Sequence, residues 1–362
     1  MNFKLLLATI VLMVVAICVP LSESDADSGF TITDGTGQTF EYTDAAERIV
    51  VNGSAVTLTI ADAGAVSKIV AVDKYSTYEY TKYDALKGLK AADLGSFYGT
   101  TNHDYIVTSL VKMVDDGKLT LDDSIILSSY SSNLGLREKL NASGFTKVLV
   151  WTTIDDYDDV VKMVEDVSRI ASGSVPQSVA DMKSNVAQVK KTAADYTGDE
   201  RPKALYVWYY SKALQIGNTG IMKSMLDVCQ ANNIGYDASN TSARYGDVST
   251  ITKLIGENKD AVIFVSDSYF SAGKTLEDFY SEVLGGDKSI KVVQMGLQWN
   301  NWCPESSDGL VQICNELYVS EGDDTGPSPK NVDDNILLYA AIIAAAIIAI
   351  AFVAQLVYRK KK

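Results

Sequence analysis

Residues 175–194 read VPQSVADMKSNVAQVKKTAA. Val175, Val179, Met182, Val186 and Val189 recur at spacings of four and three, which places them on one stripe of a single helix. Pro176 suits the first turn of such a helix, and Gly198 with Pro202 ends it. On either side lies a set of short apolar, β-branched runs. Before the helix these are Arg48–Gly53 (RIVVNG), Lys68–Asp73 (KIVAVD), Ser124–Ser129 (SIILSS) and Lys147–Thr152 (KVLVWT). After it come Lys203–Tyr210 (KALYVWYY), Ile234–Ser239, Ala261–Asp267 (AVIFVSD) and Ile290–Gly296 (IKVVQMG). Continuous apolar strands separated by helical patterns predict parallel sheets covered on both faces. The expected fold class is therefore α/β: two lobes, each a mainly parallel sheet flanked by helices, joined by one long helix. Phe30–Ile32, Asp34-Gly35 and Gln38–Tyr42 add a β-hairpin at the front.

The two ends of the chain carry a different signal. Ile336–Tyr358 is uncharged and runs straight into Arg359 and three lysines. As a helix it would cover about 34 Å at about 1.5 Å per residue, enough to cross a bilayer. Positive-inside reasoning places that basic tail in the cytoplasm. Lys4, the apolar run Leu5–Leu21 and the small polar residues that follow have the layout of a secretory signal. The expected organisation is a signal peptide over 1–26, an N-terminal lobe over 27–173, the joining helix over 174–197 and a C-terminal lobe over 198–320. A linker over 321–335, a transmembrane helix over 336–358 and a cytoplasmic tail over 359–362 complete it. That organisation predicts a single-pass cell-membrane protein with its large domain extracellular.

Composition narrows the partners. The chain has 32 Lys and Arg against 46 Asp and Glu, a net charge of −14, and such a surface repels nucleic acid. Once the signal is removed, Cys229, Cys303 and Cys314 remain; Cys303 and Cys314 could pair, or all three could be reduced core residues. His103 is the only histidine, so a Ser-His-Asp triad would have to use it and a three-histidine metal cage cannot form. It sits in a Thr-Thr-Asn-His-Asp stretch that reads as an exposed loop. No Walker loop, G-x-S-x-G elbow or G-x-G-x-x-G fingerprint occurs. The chain is read as a binding protein and not an enzyme, with no cofactor of its own.

In open α/β sheets ligands bind in the loops beyond the carboxyl ends of the strands. Aromatic residues gather there: Tyr75 and Tyr78 after Asp73, Phe97 and Tyr98 in the next Gly-flanked loop, and Tyr130 after the third strand. In the second set Trp208 and Tyr210 end the first strand, Tyr269 follows Asp267, and Trp299 and Trp302 follow Gly296. Ser54, just past the first strand, joins them as a ligand-binding candidate. Core packing is the competing explanation for any one of these rings. As a set they suit a large planar chelate.

Phe30–Tyr42 (FTITDGTGQTFEY), Glu47–Gly64 (ERIVVNGSAVTLTIADAG), Lys68–Tyr75, Lys203–Gly220 and Val292–Trp302 (VVQMGLQWNNW) together resemble the class III substrate-binding proteins of ABC importers. These are receptors for cobalamin, ferric siderophores and haem. The resemblance implies a metal-chelate ligand and an ABC permease and ATPase as partners. It also implies docking through one acidic residue per lobe. The usual Pro-Asn-x-Glu stretch is absent from Gly95–Tyr105, leaving Asp104 as the nearest acid in the first lobe and Asp227 in the second. The alternative on the same bilobal fold is a chelatase-like metal-tetrapyrrole enzyme, which needs His103 and carboxylates to converge. A surface adhesion protein would instead show repeated β-sandwich strands.

Overall fold

The computed structural model describes residues 29–76, 83–128, 132–151, 156–240 and 245–318. They divide into two compact units, one holding 29–151, 158–179 and 302–304, the other 156–157, 180–301 and 305–318.

The first unit opens with a hairpin of β1 (Phe30–Thr33) and β2 (Thr39–Tyr42), paired antiparallel. Its turn is built by Asp34, whose Oδ1 accepts the Thr36 and Gln38 amides at 2.8 and 3.1 Å. There follow β3 (Ile49–Val51), α1 (Ser54–Asp62), β4 (Ile69–Val72), α2 (Asp84–Lys87), β5 (Ala92–Asp93) and α3 (His103–Asp115). The set ends with β6 (Ser124–Leu127), α4 (Ser132–Ala142), β7 (Val148–Val150) and α5 (Tyr157–Ser172). The strands form one parallel sheet in the order β5-β4-β3-β6-β7. Every residue of β3, β6 and β7 is buried, as strands covered on both faces require. The edge strand β7 is tied to the hairpin, because the Val150 amide and the Arg137 guanidinium both donate to Asp34 Oδ2, at 2.9 and 3.1 Å. That protects an edge that would otherwise present unpaired amides.

The chain passes from one unit to the other within α6 (Gln177–Ala193). Val179, Met182, Val186 and Val189 are buried along it. Val175 is more than a third exposed and lies, with Pro176, before the first helical residue rather than on the stripe.

In the second unit β8 (Lys203–Tyr210) turns back into β9 (Ala213–Ile216), then α7 (Gly220–Val228), β10 (Asn232–Asn233), α8 (Val248–Glu257) and β11 (Val262–Val265) follow. α9 (Asp267–Ser271), α10 (Leu276–Leu284), β12 (Val292–Gln294) and α11 (Ser306–Tyr318) complete it. The sheet order is β10-β8-β11-β12, parallel, with β9 antiparallel on β8. The β8–β9 hairpin was not foreseen. It turns through Ser211 and Lys212 at φ 50° and 68°, the left-handed pair of a primed turn, without the Asn or Gly that usually announces one. The strand expected over 234–239 is also absent. Asn218 takes that segment instead, donating to the Asp237 and Asn240 carbonyls and accepting the Asp237 amide, so the chain turns where it would have paired.

His103 is not an exposed loop residue; it is buried in the first turn of α3. Among the described residues no helix is long and apolar enough to cross a membrane. The longest helix, α6, carries Asp181, Lys183, Lys190 and Lys191, which a bilayer would expel. The fold class is thus corrected to two α/β units with no membrane-crossing helix among the described residues, and the single-pass membrane localisation built on that helix is withdrawn. The segment 336–358 on which it rested lies outside the described residues, as does the expected signal over 1–26.

Proline at Met182, in mid-helix and fully buried, removes a backbone hydrogen bond and clashes with the preceding turn. Met182→Pro should lower unfolding stability by about 3 kcal/mol or more, read by urea denaturation.

Candidate functional site

In the first sheet the chain adds β4 and β5 on one side of β3 and then returns to add β6 and β7 on the other. Such a reversal of strand order leaves a crevice at the carboxyl ends of the strands flanking it. Here those ends are bound together by a buried polar network. Asn52 follows β3; its Oδ1 accepts from the Ser128 amide (3.1 Å), the Ser128 hydroxyl (2.9 Å) and Asn133 Nδ2 (2.9 Å). Its Nδ2 donates to Asp73 Oδ2 at 3.1 Å. Asp73 follows β4, is fully buried, and also accepts the Gly53 amide (3.0 Å) and the Ser76 hydroxyl (2.5 Å). Burial pushes the Asp73 carboxyl above its ordinary range, against the opposing pull of Ser76, Gly53 and Asn52.

The network fixes the start of α1. Gly53 stands at φ 93°, and a Cβ there would lie 3.0 Å from Ser128 Oγ and 3.4 Å from the Tyr98 hydroxyl. Ser54, the first residue of α1, is half-buried. The Tyr98 and Tyr75 rings meet at 5.0 Å, with the Lys74 ammonium 4.7 Å from the Tyr75 ring centre. Tyr75 and Tyr98 are thus brought together, with the Tyr98 hydroxyl close to Gly53, the residue before Ser54. Phe97 does not join them: fully buried, it packs with Ile106, Leu110 and Leu127 in the core of the unit. Tyr78 and Tyr130 lie outside the described residues.

The second unit has a counterpart, at the ends of β8 and β11 where strand order again reverses. Trp208 and Tyr210 stand on one face of β8 with ring centres 5.5 Å apart. The indole N–H of Trp208 is buried and has no acceptor among the described residues. Asp267 follows β11; burial raises its carboxyl above the ordinary range, and the Ser266 hydroxyl (3.0 Å) and the Gln298 amide (3.5 Å) donate to it. The hydroxyl of fully buried Tyr206 has no partner among the described residues, and the neighbouring Asp267 charge makes its ionisation harder still than burial alone. Trp299 is seated on two glycines: a Cβ on Gly296 or Gly309 would fall 2.4 or 2.6 Å from it. Trp302, half-buried, groups with the first unit instead. Tyr269 belongs to the core, fully buried with edge-on contacts to Tyr209, Phe270 and Phe279.

Asn52, Asp73, Ser128, Asn133 and Asp267 were missed by a search for rings alone. The signal was present in the runs KIVAVD and AVIFVSD, each an apolar strand ending on an aspartate.

The two docking candidates are surface groups. Asp104 opens α3 and meets Lys139 at 2.5 Å, whose hydrogen bond and charge hold its carboxyl below the usual range. Asp227 pairs with Lys223 one turn earlier in α7 and faces a 400 Å³ hollow with Arg201 and Tyr236. Among the described residues no three His, Cys, Asp or Glu side chains group as a metal site.

No protein-family model matches the chain, and no curated protein matches its sequence. Its structure does have relatives. The periplasmic heme-binding protein RhuT from Roseiflexus sp. RS-1 superposes with a TM-score of 0.54 at 15% identity, over 76% of this chain and 98% of that one. The periplasmic vitamin B12 binding protein BtuF of Vibrio cholerae gives 0.53 at 20% identity, over 77% and 99%. PiuA, an iron-uptake ABC transporter substrate-binding protein from Streptococcus pneumoniae, gives 0.56 at 12%, over 81% and 100%. The fold is that of periplasmic binding proteins. At these identities the likeness speaks for the fold alone, and all three relatives are named as binding proteins.

The raised Asp73 carboxyl has a consequence for stability. A group whose folded pKa lies above its unfolded value contributes stability that is complete below the unfolded value and is lost as pH rises through the folded one. Asp73→Asn cannot ionise. Its stability relative to the wild-type protein should therefore improve between pH 3.5 and pH 7 in urea unfolding. Parallel profiles would mean that Asp73 ionises as freely in the folded chain as in the unfolded one.

Proposed function

We propose that this protein is the solute-binding receptor of an ABC importer, and that its ligand is a metal chelate of the cobalamin, ferric-siderophore or haem type. The fold supports the first part, since structural relatives bind heme, vitamin B12 or iron compounds. The observation that supports the second is a tilted pair of rings near the strand ends of each unit: Tyr75 with Tyr98, ring centres 5.0 Å apart, and Trp208 with Tyr210, 5.5 Å apart. Ring faces offer a large apolar area with fixed geometry, which matches the flat face of a corrin or porphyrin. The hydroxyls and amides behind them can hold polar substituents at the rim.

Trp299 extends the second wall, held rigid by the glycines beneath it. Trp302 is assigned to ligand contact with less structural company. Asp104 and Asp227 remain the docking positions for the permease, each already paired with a lysine that a permease arginine would have to displace. No cofactor enters this reading.

A chelatase-like enzyme on this fold would place its histidine among the strand-end carboxylates. His103, the only one in the chain, is buried in the first turn of α3, away from solvent, with a basicity lowered chiefly by that burial. The receptor reading therefore stands ahead of it.

The test is a titration of the purified chain with cobalamin, haem and a ferric siderophore, followed by tryptophan fluorescence. One of the three should bind and quench the emission. Tyr75→Ala and Trp208→Ala should each weaken that binding by about tenfold, which corresponds to about 1.4 kcal/mol. Wild-type affinity in both variants would return those rings to a packing role. Binding of none of the three chelates would reject the ligand class.

A further inference from the structure

We propose that Cys229 and Cys314 form a disulfide inside the second unit, joining the end of α7 to α11. Cys229 closes α7, its amide donating to the Met225 carbonyl at 3.1 Å. From there it reaches α11 at two levels. Its Sγ lies 3.9 Å from the Leu310 carbonyl, and its own carbonyl accepts the Tyr318 hydroxyl at 2.5 Å. Residues 310, 314 and 318 succeed one another at spacings of four, so they form one stripe of that helix. The Leu310 carbonyl is moreover the group that the Cys314 amide meets in a regular helix. Cys229 is thus held one turn above and one turn below Cys314, and both are free thiols in the structure. Both side chains are fully buried. Cys303, the pairing partner that sequence proximity offered, packs against Leu58 in the first unit instead.

The bond forms by exchange with a low-molecular-weight disulfide such as oxidised glutathione. A thiolate of the pair attacks one sulfur and releases one small thiol, leaving a mixed disulfide. The second cysteine then attacks that intermediate and releases the other small thiol. Two protons and two electrons leave the protein, and the small disulfide is reduced to two thiols. Because both sulfurs are buried, exchange belongs to the stage before α11 docks. Once docked, burial keeps the Cys229 thiol protonated and unreactive. The same burial shields the finished bond from reductants. The loop it closes is long, so it restricts the unfolded chain strongly.

The experiment refolds the full chain in a mixture of reduced and oxidised glutathione, unfolds it, alkylates free thiols and maps the peptides by mass spectrometry. The expected product is a 229–314 linked peptide pair, two hydrogens lighter than the separate thiols, with Cys303 alkylated. Cys303→Ala should keep that pair, while Cys229→Ala and Cys314→Ala should abolish it. Reduction should lower the midpoint of thermal unfolding by on the order of 10 °C in the wild-type chain and leave it unchanged in Cys229→Ala. Alkylation of all the cysteines in the refolded wild-type chain would overturn the proposal, as would a link made through Cys303. The peptide map of the wild-type chain decides this even if a variant fails to fold.

Discussion

A single asparagine side chain holds the first unit's strand ends in register. Asn52 Oδ1 accepts three hydrogen bonds from the β6 side, and its Nδ2 donates to Asp73 beyond β4. Three neighbouring strands, β4, β3 and β6, are thereby tied at the point where strand order reverses. A buried carboxylate without partners would be costly, and Asp73 persists there because three donors surround it. The arrangement also dictates the glycine at 53: the Asp73 bond to its amide requires a left-handed turn, and Ser128 leaves no room for a side chain. Ser54, Tyr75 and Tyr98 are positioned as a consequence, since each leaves the chain within a few residues of a fixed strand end.

The second unit solves the same problem with less. Asp267 is held by the adjacent Ser266 hydroxyl and by the amide of Gln298, itself at a positive φ of 66°. Ser266 in turn donates its amide to the Val207 carbonyl, locking the ends of β8 and β11. The β9 hairpin lengthens β8 past its neighbours, so Trp208 and Tyr210 are carried on a strand and not on a loop. Rings mounted on a paired strand have less freedom than rings on a loop.

Much of this was legible in the sequence, and the misses have a common physical origin. Continuous apolar runs such as SIILSS and AVIFVSD announced buried parallel strands, and the 3.5-like spacing of Val179, Met182, Val186 and Val189 announced α6. What periodicity cannot see is side-chain hydrogen bonding between distant segments. The turn imposed by Asn218 on 237–240 erased an expected strand. The Ser211-Lys212 turn created one, because tertiary pairing with β8 outweighed the cost of two side chains at positive φ. The ring residues divided along the same line: Phe97 and Tyr269 have the same sequence context as Tyr98 and Trp208, but helices α3 and α10 close over them.

His103 shows why the division matters for function. Sequence context, a run of Thr, Asn and Asp around it, argued for exposure. Packing of α3 against the sheet through Ile106 and Leu110 draws the first turn inward and takes the imidazole with it. Burial, and after it the Lys139 charge, lower the basicity of the imidazole against the opposing pull of the Phe97 backbone and Asp104. The place of His103 in the first turn of α3 leaves it outside the Asn52–Asp73 network at the strand ends. At the strand ends Asp73 is fully buried and Asp267 partly so, each held among hydroxyl and amide donors.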